Sequence, residues 1–187
     1  ELNNTEVARQ YLSKLVQIAP DSTMARRVYA ATLLRLGDFK GALDVAKPLI
    51  DKGQADSRLL ALVGSAYARS GDFNNAQKYF EQAVESEPNQ SALRAQLAMS
   101  RVAVGQNQKA TEDLQAILKQ DPKSLQALTM LGIIDLRSGN FKVAQQTALR
   151  LVRTYPELPL GYNLLASSYL GQSKFKEAEA NYRFALQ

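Results

Sequence analysis

Cysteine, histidine and tryptophan are all absent from this 187-residue sequence. Without cysteine no disulfide framework can form, and the chain suits any redox compartment. Without cysteine and histidine the common zinc sites and the Ser–His and Cys–His nucleophile pairs are excluded, and nothing implies a cofactor. No window is apolar enough over a sufficient length to span a membrane, so no membrane insertion is expected of this stretch. Glu1 to Thr5 has neither the basic nor the apolar segment of a secretory signal. The net charge of +5 leaves anionic partners open. No arginine-rich run or aromatic–basic stacking platform accompanies that charge, so no nucleic acid is expected.

What the chain does have is a period. A 34-residue step carries Gly37 to Gly71, Gly105 and Gly139, with Ser173 at the next position. The same step carries Pro88 to Pro122 and Pro156, with Pro20 two steps earlier and Gln54 in the gap. A strict period of this length means stacked supersecondary units, each contacting its neighbours. With the glycine at position 15 and the proline at 32, full repeats occupy 23–56, 57–90, 91–124 and 125–158. An incomplete repeat follows at 159–187, and 1–22 reads as the second helix of a truncated one. The expectation is one all-α array of about eleven helices over 1–187, with both ends cut inside a longer series.

Each helix has a reason to start and stop. Apolar residues at three- and four-residue steps, such as Leu59, Leu60, Val63 and Tyr67, mark the first helix of a repeat. The recurring glycine can adopt the left-handed conformation of a helix C-terminus. Asp38, Asp72 and Asn140 follow it as expected caps of the second helix; Gln106 and Lys174 are poorer ones. Ala42, Ala76, Ala110, Ala144 and Ala178 share one position, where a methyl-sized side chain lets helix axes approach closely. The proline then stops the helix, and Asp21, Asn89 or Ser124 can cap the next. Pro48 breaks the pattern and is expected to kink its helix or end it early.

These residues resemble the tetratricopeptide repeat (TPR) pattern: large apolar at position 4, Gly or Ala at 8, Tyr at 11, Ala at 20, aromatic at 24, Ala at 27, Pro at 32. The second repeat fills it with Leu60, Gly64, Tyr67, Ala76, Phe80, Ala83 and Pro88. The last does so with Tyr162, Ala166, Tyr169, Ala178, Tyr182 and Ala185. The resemblance implies a right-handed α-solenoid of antiparallel helix pairs. More narrowly, Leu36-Gly37-Asp38-Phe39, Lys47-Pro48-Leu49 and the Ala- and Leu-rich helices resemble bacterial TPR lipoproteins of the PEP-CTERM/exosortase and exopolysaccharide systems (PrsT-like). That resemblance implies a periplasmic or outer-membrane-associated setting; without it the expected setting is cytoplasmic.

TPR arrays use the first helix of each repeat, chiefly positions 2, 5, 9, 12 and 13, to line a concave groove that holds a protein or peptide segment. Carried onto this chain, the resemblance implies a partner-binding groove containing Met24, Arg27, Arg35, Arg58, Arg69, Met99, Gln126, Ile133, Arg137 and Asn163. The groove should be basic in its first half with a small, apolar floor beyond, suiting an acidic segment with apolar anchors. Arg35, Arg69 and Arg137 share position 13, where a cation also offsets a helix dipole with no ligand at all. The family's carboxylate clamp needs asparagine at position 9; Ala31, Ser65, Met99, Ile133 and Ser167 stand there instead.

Asp44, Glu112, Asp113 and Asp135 fall in no catalytic motif, so the expectation is a non-catalytic scaffold. Polysaccharide or anionic-ligand binding by the basic surface is the alternative, although sugar sites stack on exposed aromatics and most Tyr and Phe here hold core positions. Two structural expectations complete the reading. The last helix presents Phe175, Tyr182 and Leu186 with nothing following, so that end should associate with a neighbour, end to end, or fray. In the third repeat Arg94 and Arg101 replace the apolar residue at 4 and the tyrosine at 11, and Arg101 is expected to pair with Asp135.

Overall fold

The computed structural model describes residues 2–186, with side chains from residue 5 onward. Glu1 and Gln187, placed by the repeat register in the first and last elements, lie outside the described residues. Eleven α-helices and no strand are present among the described residues. They are α1 (Leu2–Ile18), α2 (Thr23–Arg35), α3 (Phe39–Asp51), α4 (Ser57–Arg69), α5 (Phe73–Ser86), α6 (Ser91–Ala103), α7 (Asn107–Gln120), α8 (Leu125–Arg137), α9 (Phe141–Thr154), α10 (Pro159–Gly171) and α11 (Phe175–Ala185).

The glycines explain the ends of the first helices. Gly37, Gly71, Gly105 and Gly139 have φ of 81°, 87°, 81° and 74°, the left-handed region that terminates a helix. Ser173, the one non-glycine in the series, takes φ 60° at the equivalent position. Asp38 and Asp72 cap the second helices as expected, accepting from the amides of Gly41 at 2.8 Å and Asn75 at 3.0 Å. Asn140 makes no such bond; its side chain is hydrogen-bonded to Asp135 instead. The caps entering the first helices sit one residue later than expected of Asp21 and Asn89. Ser22 and Asp56 cap α2 and α4, while Asp21 pairs with Lys52 at 2.6 Å. At α6 the cap position belongs to Gln90, whose side chain makes no cap bond.

Pro48 does not end α3, which continues to Asp51. Proline so near a C-terminus removes one backbone donor, the bond to the carbonyl of Asp44, and Asp44 is exposed to water.

The helices form two compact units, Glu1–Val104 and Gly105–Gln187. The division falls between α6 and α7, inside the repeat expected at 91–124. In the first unit each helix packs on the next, and the first helices α2 and α4 also pack on each other. Its core is layered: Ala30, Leu33 and Ala42 lead to Ala46, Leu49, Leu59 and Val63, then to Leu60, Ala83 and Leu93, then to Ala76, Phe80 and Leu97. The second unit repeats the arrangement. α8 packs on both α9 and α10, around Leu128, Ala148, Leu151, Leu164 and Leu165.

All five of the recurrent alanines from Ala42 to Ala178 are buried, so the close approach expected of them is made. Gly64 shows how close: a Cβ there would lie 2.9 Å from the Phe80 ring. α11 is helical to Ala185, with no fraying before it, and leaves Phe175, Phe184 and Leu186 exposed.

Candidate partner-binding face

The first helices of the first unit, α2, α4 and α6, carry the side chains expected to meet a partner. Met24 and Met99 are the exposed thioethers of that set, 63% and 55% accessible, with Val28 beside Met24's turn at 42%. Large apolar side chains standing in water at this frequency suit a contact surface. Positions 2, 5, 9, 12 and 13 of the three repeats hold four arginines and no carboxylate.

The four arginines are not equivalent. Arg27 pairs with Asp56 at 2.5 Å and also donates to the Met24 sulfur at 3.2 Å. Its charge is therefore compensated within the unit. Arg69 donates to the carbonyl of Leu34 at 3.0 Å and lies over the Phe39 ring, 5.2 Å from its centre. It closes the C-terminus of α2, one repeat back, which is structural work of the kind a position-13 cation can do with no ligand. Arg35 and Arg58 are exposed and have no ion-pair partner among the described residues. These two supply the positive field that a ligand would meet.

Arg58 stands at a depression of about 250 Å³ between α4 and α6. Ala61 and Ser65, also expected groove positions, share its wall with Ser57, Leu62, Gln90, Leu93 and Gln96. Ser65 donates to the carbonyl of Ala61 at 2.8 Å, and Ser57 donates to Glu87, so both hydroxyls are engaged. Gln96 differs: its Oε1 is buried with no hydrogen-bond partner. The repeat register did not single out Leu62, Gln90, Leu93 or Gln96, because they occupy positions 6, 34, 3 and 6. A rule that the pocket floor draws on the following repeat would have found Leu93 and Gln96, but not Leu62 and Gln90 of the same repeat.

In the second unit Gln126, Arg137 and Asn163 are exposed on α8 and α10. Ile133 is half-buried and packs against the cluster around Leu128 and Leu164, so it supports the α8–α10 seam. Burial raises the Asp135 carboxyl above its ordinary range, opposed by the hydrogen bond from Asn140.

The two arginines that depart from the pattern in the third repeat have partners close by in the first unit. Arg101 donates to Glu81 on α5 at 2.9 Å, an acid one helix back that the register placed on a second helix and so left out. Arg94, in place of the apolar residue at 4, donates to the Pro88 carbonyl at 2.9 Å. Arg26 does the same at Pro20, six residues back in each case. No group of three metal-ligating side chains is assembled among the described residues.

Comparison with known proteins agrees with this geometry. Residues 1–112 match the family described as "Psidin, N-terminal TPR repeats region", and residues 101–167 match "Tetratricopeptide repeat". The chain is 27% identical over 143 residues to Protein CTR9 homolog of Arabidopsis thaliana; the match covers 73% of this chain but only 13% of that protein. Among solved structures it is similar to a crystal structure of MamA (19% identity, TM-score 0.81, 89% of this chain and 91% of that one). It is also similar to MamA from Desulfovibrio magneticus RS-1 (20%, TM-score 0.80, 89% and 94%). A third is YrrB, described as a TPR protein with an unusual peptide-binding site (15%, TM-score 0.78, 94% and 90%). At such identities these structures bear on the fold alone. The repeat pattern, the helix pairs and the match over residues 1–112 agree, and the chain belongs to the TPR family described as the Psidin N-terminal TPR repeats region.

Proposed function

We propose that this chain is a non-catalytic protein-interaction scaffold that holds a peptide or protein segment along the first-helix face of its first unit. The observation that carries the reading is what the first helices of the first unit present: two exposed thioethers, two arginines without an ion-pair partner and, at Arg58, a depression open to a side chain, with no carboxylate among the groove positions. Apolar anchors flanked by positive charge suit an acidic segment with apolar residues. That YrrB is described as carrying a peptide-binding site favours a peptide ligand for a chain of the same fold. The exopolysaccharide or exosortase setting is a further proposal, resting only on the PrsT-like resemblance of residues 36–39 and 47–49.

Binding of acidic polysaccharide has less behind it. The exposed aromatics Tyr11, Phe73, Phe175 and Phe184 lie on second helices, whereas Arg35 and Arg58 lie on first helices. The test is capture of a peptide from a random display library. Reversal of both charges, Arg35→Glu with Arg58→Glu, should weaken a selected acidic peptide at least tenfold. Arg69 is left intact, since it closes α2. Undiminished binding by the double variant would remove this face from consideration.

A further inference from the structure

We infer that the α4–α6 depression is a side-chain pocket that reads a carboxamide, Asn or Gln, next to a carboxylate of the bound segment. The inference rests on the first-helix face being the binding surface and adds what that surface selects.

Two independent features point there. Arg58 stands at the mouth, exposed and without an ion-pair partner, on a face with no acid at its groove positions. A carboxylate is the group that complements it. In the wall, Gln96 holds Oε1 buried with no hydrogen-bond partner, whereas the serines beside it are engaged with Ala61 and Glu87. A buried acceptor of this kind favours a ligand that brings an N–H to it, because desolvation has already been met.

The rest of the wall narrows the chemistry. Ala61, Leu62 and Leu93 favour a side chain with an apolar stem, and about 250 Å³ admits one side chain rather than a helix. Lysine would carry a second cation beside Arg58. A hydroxyl would have to serve Gln96 and the exposed amide of Gln90 through one oxygen, whereas a carboxamide carries its donor and its acceptor on separate atoms. A carboxamide gives its N–H to Gln96 and its oxygen to Gln90. The ligand is an extended acidic segment with Asp or Glu on Arg58 and a neighbouring Asn or Gln in the pocket.

Random nonapeptides on phage, panned against the full chain and two variants, test this. Selection on the parent should enrich Asp or Glu adjacent to Asn or Gln. Gln96→Met removes the acceptor at similar size; it should keep the acid preference, lose the amide preference and weaken a parent-selected peptide roughly tenfold. Arg58→Gln should lose the acid preference and keep the amide. Acid enrichment with no amide enrichment, or amide enrichment unchanged in Gln96→Met, overturns the pocket while leaving the face intact. Peptides indifferent to Arg58, or no selection, overturn both. Thermal melting gives a second readout: Gln96→Met should melt no lower than the parent. A drop of several degrees would mean that the acceptor has a partner inside the protein, and the inference falls.

Discussion

Arg26 ties three helices together, and its removal can be worked from the structure. The residue is only 9% exposed. Its Nε donates to the Pro20 carbonyl at the turn after α1, and Nη1 donates to the Val45 carbonyl in α3 at 2.7 Å. Arg26→Met keeps most of the packed stem and deletes both bonds. Each charge-assisted bond contributes about 1.5–3 kcal/mol, while the exposed Pro20 turn can bond to water and the Val45 carbonyl stays within the backbone ladder of α3. Release of the guanidinium from a buried site offsets part of this. The expected net loss is about 2–3 kcal/mol, a large fraction of the ~5–15 kcal/mol that stabilises an ordinary domain. Repeat units fold with neighbour-to-neighbour coupling, so the damage should concentrate in α1–α3. Urea titration followed by circular dichroism gives the stability, and amide exchange resolved by helix gives its location. Arg94→Met is the comparison, a bond in more exposed surroundings, expected to cost about 1 kcal/mol. If Arg26→Met stays within about 0.5 kcal/mol of the parent and exchange in α1 is unchanged, the argument that these two bonds hold α1–α3 together is refuted.

Other perturbations follow from single contacts. Gly64→Val drives a branched side chain into the buried Phe80 ring and should cost about 2 kcal/mol in the same titration. Ser173→Gly relieves a non-glycine φ of 60° and should raise stability by about 1 kcal/mol, seen as a higher melting temperature. Burial raises the Asp135 carboxyl above its unfolded value, so the ionised form destabilises the fold above the folded pKa, and this penalty disappears as pH falls below the unfolded value. Asp135→Asn should therefore gain on the parent at pH 7 and lose that advantage near pH 3, measured by melting at both pH values.

The helix pairs were legible because their punctuation is local. A glycine with φ near 80° needs no tertiary context, and Ser173 adopts the same conformation where the period demands it. Caps were legible only where nothing competed: Asp38 and Asp72 bond the amides ahead of them, but Asn140 turns back to Asp135, a partner brought near by the end of α8. Arg26 and Arg94 look like polar intrusions at an apolar position, yet each reaches a carbonyl six residues back, a geometry set by the proline turn. The division between α6 and α7 was not legible, since 91–124 keeps its glycine and proline on either side of it. For the candidate face, the repeat register supplied Arg58, Ala61 and Ser65. It could not separate Arg58 from Arg27 and Arg69, because their partners Asp56, Leu34 and Phe39 come from packing across repeats.

The most direct measurement of the binding face is amide chemical-shift mapping of the labelled chain titrated with a library-selected acidic peptide. The account predicts that the largest changes fall on Arg58, Ala61, Ser65 and Gln96, with the exposed residues of α3 and α5 unmoved. Largest changes on those second helices, or on the exposed end of α11, would contradict it.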